Sequence, residues 1–144
     1  MKAVIMESAP WVGTMLAFPV GNELLIDHLL LALKQQGVRE VAVVSCEQDP
    51  YVRELVCRAG RACGMTVFWR TEPVYRGTAG GLQAVEDFLD TPTFLAIHAN
   101  VYLRDVDLEA ARGGSGWLDS VGPFLSGAWR IVDYAAVCRV VRWS

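Results

Sequence analysis

The sequence has no run of basic residues and no surplus of them. Thirteen lysines and arginines stand against 16 aspartates and glutamates, for a formal net charge of −3. That balance excludes a mode of nucleic-acid binding that rests on neutralising phosphates. No apolar stretch approaches the ~20 residues that a membrane-spanning helix requires. The first residues lack the charged head, apolar run and small-residue cleavage site of a secretory leader, so the expected setting is cytoplasmic, with neither membrane nor nucleic acid as partner. Cysteine is sparse and unpatterned. Cys46, Cys57, Cys63 and Cys138 form no C-x-x-C pair, and His28 and His98 lie far from them in sequence. Zinc ligation is therefore not expected, and the thiols read as reduced, with Cys46 in a strand and the others in or near a core.

What is present is apolar and ordered in short segments. Apolar residues make up 53% of the chain, enough for a real core in a protein of this length. Residues 2–6 (KAVIM) read as a buried strand. Asn22 is a good N-cap and Glu23 suits the first turn of a helix in which Leu24, Leu25, Ile26, Leu29, Leu30 and Leu33 recur at helical spacing, closed by Gly37. Residues 38–46 form a second strand. Asp49-Pro50 opens a second helix that stops at Gly64, and residues 65–72 make a third strand. Gly77-Thr78 opens a helix over AGGLQAVEDFL, and residues 93–99 are a fourth strand. This alternation predicts an α/β fold, a Rossmann-like mainly parallel sheet with helices on both faces. Ligands of such sheets bind beyond the carboxyl ends of the strands, which directs attention to residues 7–18, 46–49, 72–78 and 98–104.

Beyond Arg112 the pattern changes. The GGSG at 113–116 reads as a linker or a tight turn, and Leu125, Ile131, Val137 and Trp143 are spaced by six. The expected division is an α/β domain over 1–112 and a linker with a short all-β tail over 113–144. The tail reads either as one coil of a hexapeptide β-helix or as strands added to the sheet edge.

The segments MKAVIM, FPVGNELLIDHLLLALKQQGVREVAVV, EPVYRGTAGGLQAVEDFLD and TFLAIHANVYLRDVDLEA, in this order, resemble the sugar-phosphate nucleotidyltransferases over about residues 1–112. The resemblance implies a Rossmann-like fold and a reaction in which a sugar 1-phosphate attacks a nucleoside triphosphate, releasing pyrophosphate. Catalysis of that kind rests on positioning and charge neutralisation. The family carries A-G-G-x-G-T-R after its first strand. Here Glu7, Ser8, Ala9, Pro10, Trp11 and Val12 intervene before Gly13-Thr14, and Met15 occupies the arginine position. A phosphate cradle needs small, N–H-bearing backbone, which Pro10 and Trp11 do not offer, and Glu7 repels phosphate. The family's lysine segment is absent, because Leu16-Ala17-Phe18 leads straight to Pro19. The magnesium aspartate of N-G-D aligns with Asn100 in His98-Ala99-Asn100, and a neutral amide is a poor ligand for that cation. Only about thirty residues follow where the family's sugar-binding half is expected.

The resemblance thus implies a truncated, degenerate member with no catalytic residues and no cofactor, acting as an interaction or regulatory subunit. The alternative is an active enzyme with magnesium and an altered metal site. The positions carried over for residual nucleotide or nucleotide-sugar binding are Gly13, Thr14, Gly77, Thr78, Ala79 and Gly80, with Asn100 as the degenerate metal position. GTAG has a plainer alternative, close packing of a helix on the sheet. The expected partners are a second copy of the chain or an active nucleotidyltransferase relative. Glu7 and Glu72 fall at strand ends, where solvation or a salt bridge is expected rather than a general-acid pair. His98 reads as a hydrogen-bonded residue at the crevice mouth and His28 as a helix-surface residue. Asp105, Asp107 and Glu109 read as a solvated helix start. Trp11, Phe18, Trp117, Phe124, Trp129 and Trp143 read either as a contact surface or as core.

Overall fold

In the computed structural model the described residues are 1–7, 15–46, 48–91 and 93–99, together with the backbone of 129–134 and 137–142; the side chains of Thr78 and Thr93 are not among them. The elements in chain order are β1 (Lys2–Met6), a short 3-10 helix (Met15–Ala17), β2 (Pro19–Val20), β3 (Glu23–Leu24), α1 (Leu25–Gln35), β4 (Glu40–Ser45), α2 (Pro50–Cys63), β5 (Thr66–Thr71), α3 (Gly77–Gln83), β6 (Thr93–His98), β7 (Trp129–Tyr134) and β8 (Val137–Arg142). The main sheet has the order β5-β4-β1-β6-β8-β7. The first four of these strands are parallel, as the alternation of strand and helix predicts. β8 runs antiparallel to both β6 and β7.

Burial explains the strand compositions. β1 lies between β4 and β6 and both its faces are covered, so Ala3, Val4, Ile5 and Met6 are all buried and the strand reads as an unbroken apolar run. β5 is an edge strand, and its exposure varies along TVFWRT. Residues of alternate parity serve two cores. Ala3, Ile5, Val41, Val43, Leu95 and Ile97 pack under α1 and α2. Val4, Met6, Ala42, Val44, Phe94 and Ala96 pack under Leu82, Val85, Phe88 and Leu89, on the opposite face. Fully burying such a side chain contributes about 1.5–3 kcal/mol.

The helix-boundary signals of the sequence hold for α2 and differ for α1 and α3. For α2 the expectation holds. Asp49 accepts a hydrogen bond from the Tyr51 N–H at 2.9 Å, Pro50 is the first helical residue, and Gly64 ends the helix at φ 68°. For α1 the N-cap is Leu24, not Asn22. Residues 19–24 form a small hairpin, Pro19 opposite Leu24 and Val20 opposite Glu23, with Gly21 at φ 65° beside Asn22 in the turn. The Leu24 N–H is taken by Asp27 Oδ2 at 3.0 Å. His28 is more than a surface residue, since its Nε2 lies 2.9 Å from the Val20 carbonyl and ties α1 to this hairpin. The third helix is shorter than expected. It ends at Gln83, and hydrogen bonds of the Val85 N–H to Leu82 and of the Phe88 N–H to Val85 continue as tighter turns that lower Val85, Phe88 and Leu89 onto the sheet.

In the tail, 129–134 and 137–142 are an antiparallel pair, joined to the edge of β6 by registers such as Phe94 opposite Val140. The six-residue spacing of Ile131 and Val137 therefore falls on neighbouring strands of the sheet rather than on the flat sides of a β-helix coil. The GGSG at 113–116, residues 105–109, and Trp11, Trp117, Phe124 and Trp143 lie outside the described residues. Phe18, expected in a contact surface or a core, is 56% exposed. Among the described residues no helix is long and apolar enough to cross a membrane.

Candidate functional site

The strand order places a crevice. β1 leads through α1 to β4, and β4 through α2 to β5, always outward on one face. The next connection returns past β1 on the other face, through α3, to β6. The carboxyl ends of β1 and β6 are thus neighbours at the point where the winding reverses, the usual ligand position in such sheets. The Ala99 N–H donates to the Met6 carbonyl at 2.8 Å and the Glu7 N–H to the Val44 carbonyl at 3.1 Å, so these strand ends are held together into the first residue beyond each.

Five polar side chains stand at or just past the carboxyl ends of β1, β4, β5 and β6. Glu7 follows β1, and its carboxylate accepts a short hydrogen bond from the Ser45 hydroxyl at the end of β4. Ser45 is almost fully buried. Glu72 follows β5, is 4% exposed, and accepts from Arg76 Nε at 3.1 Å. Its own N–H donates to the Ser45 carbonyl at 2.8 Å. Arg76 also reaches Gln83 on α3 at 3.2 Å. His98 ends β6 beside Met6, and among the described residues its buried Nδ1 has no hydrogen-bond partner. A buried polar atom left in this state costs about 1–3 kcal/mol.

Cys46 lies just past β4, one residue beyond the strand in which it was expected, and is half-buried like Cys57 and Cys63. Burial, then the Glu72 carboxylate, then that of Glu7 push its thiol above the usual range. It is consequently a poor nucleophile at neutral pH. Glu7 and Glu72 are each held by a partner of their own, Ser45 and Arg76, and Glu72 is in the salt bridge expected of it.

The segment 77–81 lies against this cluster. Gly77 has φ 75°, a left-handed conformation that glycine adopts readily, and starts α3. A side chain at Gly80 would fall inside van der Waals contact of Arg76 Cβ and 2.9 Å from Glu72 Oε1. One at Gly81 would lie 3.5 Å from Met6 Sδ. These glycines let the backbone approach the sheet and the Glu72–Arg76 pair. That geometry supports the packing role. Gly13, Thr14 and Asn100 lie outside the described residues, as does the Thr78 side chain. Met15, at the family's arginine position, is partly buried against the core below α1. Among the described residues no group of three or more His, Cys, Asp or Glu side chains is placed to hold a metal ion.

Sequence reasoning assigned no role to Ser45 or Arg76. The signals available were the parity of Ser45 and Glu7 at the ends of neighbouring strands and the spacing of four between Glu72 and Arg76.

The model of the nucleotidyl transferase family matches residues 15–112. The chain belongs to this family. Solved structures with the same fold include one from Bacillus anthracis, assigned as a glucose-1-phosphate thymidylyltransferase and in complex with a sucrose (20% identity, TM-score 0.65, covering 77% of this chain and 49% of that one). Another is HddC from Yersinia pseudotuberculosis complexed with GMP-PN (17% identity, TM-score 0.65, 77% and 52%). A third is a UDP-glucose pyrophosphorylase complexed with UDP-glucose (12% identity, TM-score 0.54, 68% and 45%). The chain spans about half the length of these structures. No curated protein matches it by sequence.

Proposed function

We propose that this nucleotidyltransferase-family chain is a binding and interaction module rather than a catalyst, taking up a nucleotide or nucleotide sugar weakly at the crevice between the ends of β1 and β6. The observation that carries this reading is the Glu7 carboxylate, held by Ser45 at the end of β1, where the family's phosphate loop begins. A fixed carboxylate there opposes the triphosphate that the reaction requires. The family's arginine position, Met15, is instead turned to packing. The buried Nδ1 of His98 supports a retained ligand, since a hydroxyl or amide of a bound molecule would relieve it.

The test is calorimetric titration with nucleoside triphosphates and nucleotide sugars, with and without magnesium, beside an assay of pyrophosphate release. The expected result is saturable, magnesium-independent binding with a Kd of about 0.1–1 mM, weakened by His98→Leu, and no turnover. Magnesium-dependent pyrophosphate release from a nucleoside triphosphate and a sugar 1-phosphate would establish an enzyme and refute the proposal. Absence of binding across the panel would remove the ligand and leave only the scaffold.

A further inference from the structure

We propose that the outer edge of β5 is a self-association surface at which a second copy of this chain adds its own β5 antiparallel, making one continuous sheet across a two-fold axis. The inference stands whether or not the crevice binds a ligand.

The backbone comes first. The N–H of Thr66 donates to the carbonyl of Arg39, just before β4, and the N–H of Glu72, just past β5, to that of Ser45 at the end of β4. In a parallel ladder, alternate residues turn both backbone groups to the same neighbour. Thr66, Phe68 and Arg70 therefore serve β4, and Val67, Trp69 and Thr71 direct their N–H and C=O groups outward. Among the described residues no strand pairs with that edge. The register with β4 is unbroken from Thr66 to Thr71, so no bulge bends it away. TVFWRT contains no proline and no lysine, the residues that commonly blunt an exposed edge.

The side chains favour one register. Antiparallel pairing of two such edges brings outward residues into hydrogen-bonded pairs, so the axis passes through a residue rather than between two. With Trp69 on the axis, Val67 faces Thr71 of the second copy and Phe68 faces its Arg70. The overlap is then greatest. Phe68, whose ring packs on Phe88, is 36% exposed, and Arg70, paired with Asp87 at 2.6 Å, is partly exposed, so an arginine that keeps its carboxylate partner can lie beside the open edge of the phenylalanine on both sides of the axis. Shifting the axis to Arg70 sets two arginines opposite each other, which is unfavourable. A two-fold pairing closes at the dimer, whereas β5 on the opposite edge strand β7 of a neighbour would propagate without end.

The experiment is sedimentation of the full chain over concentrations up to about 1 mM, with two variants. Thr71→Pro removes an outward N–H and leaves the β4 ladder intact. Phe68→Lys places a second cation beside the partner's Arg70. The expected result is a monomer–dimer equilibrium whose dissociation constant rises about tenfold or more in each variant, with circular dichroism unchanged. If Thr71→Pro does not fold, Phe68→Lys decides. A monomer at every concentration, a dimer indifferent to both substitutions, or an open-ended polymer would overturn the proposal.

Discussion

Two adjacent glycines of α3 are expected to respond in opposite directions to the same substitution. Alanine in place of an interior helical glycine contributes up to about 1 kcal/mol through backbone entropy. At Gly81 nothing opposes this gain, because the new methyl would meet Met6 and Val44 at 3.5–3.8 Å, ordinary contact distances. At Gly80 the methyl would fall inside van der Waals contact of Arg76 Cβ and 2.9 Å from Glu72 Oε1. Arg76 Cβ is fixed to the backbone at the helix N-cap and cannot rotate away, and Glu72 is buried and engaged. Overpacking of this kind costs about 1–3 kcal/mol. The net expectation is that Gly81→Ala stabilises by about 0.5–1 kcal/mol and Gly80→Ala destabilises by about 1 kcal/mol. The difference of about 2 kcal/mol should appear in urea titrations as midpoints about 1 M apart with unchanged slopes. Midpoints that move together and by the same amount would refute the claim that Gly80 is required by the Glu72–Arg76 pair. They would return the GTAG segment to the ligand-binding explanation.

Two further outcomes follow from the polar cluster. Arg76→Ala leaves the Glu72 carboxylate, 4% exposed, without its ion-pair partner. Because Arg76 is itself half-exposed, the expected loss is about 1–2 kcal/mol in thermal or urea unfolding, and no loss would mean that Glu72 finds water instead. Cys46, its thiol pushed up by burial and by Glu72 and Glu7, favours the neutral form in the folded protein. Its contribution to stability is therefore complete below the ordinary thiol value and is lost as pH rises through the raised folded value. Its alkylation should lag behind that of a free thiol through mildly alkaline pH and accelerate in Glu7→Gln. An unchanged rate in that variant would show that the two groups do not interact.

The sequence by itself determined the strands and helices whose signals are local. Asp49-Pro50 and Gly64 bound α2 because a side-chain acceptor, a fixed φ and a left-handed residue act within one turn of chain. The unbroken apolar run of β1 announced a strand covered on both faces, and the strand–helix alternation announced a parallel sheet. The segments at 77–81 and around residue 98 fall where the alternation places the carboxyl ends of strands. Tertiary structure decided the rest. Asn22 is a sound cap in isolation, but antiparallel pairing of Pro19–Val20 with Glu23–Leu24 claims it for a turn. The last turns of the third helix tighten because Val85, Phe88 and Leu89 must reach the sheet. Ser45 meets Glu7, and Arg76 meets Glu72 under Gly80, only because parallel register brings strand ends distant in sequence to one place. The alternate exposures of β5 mean an edge only once the order of strands is known. Local pattern specifies a segment's conformation and which face is apolar; the partners of its polar groups depend on strand order and register, which arise from the packing of the whole chain.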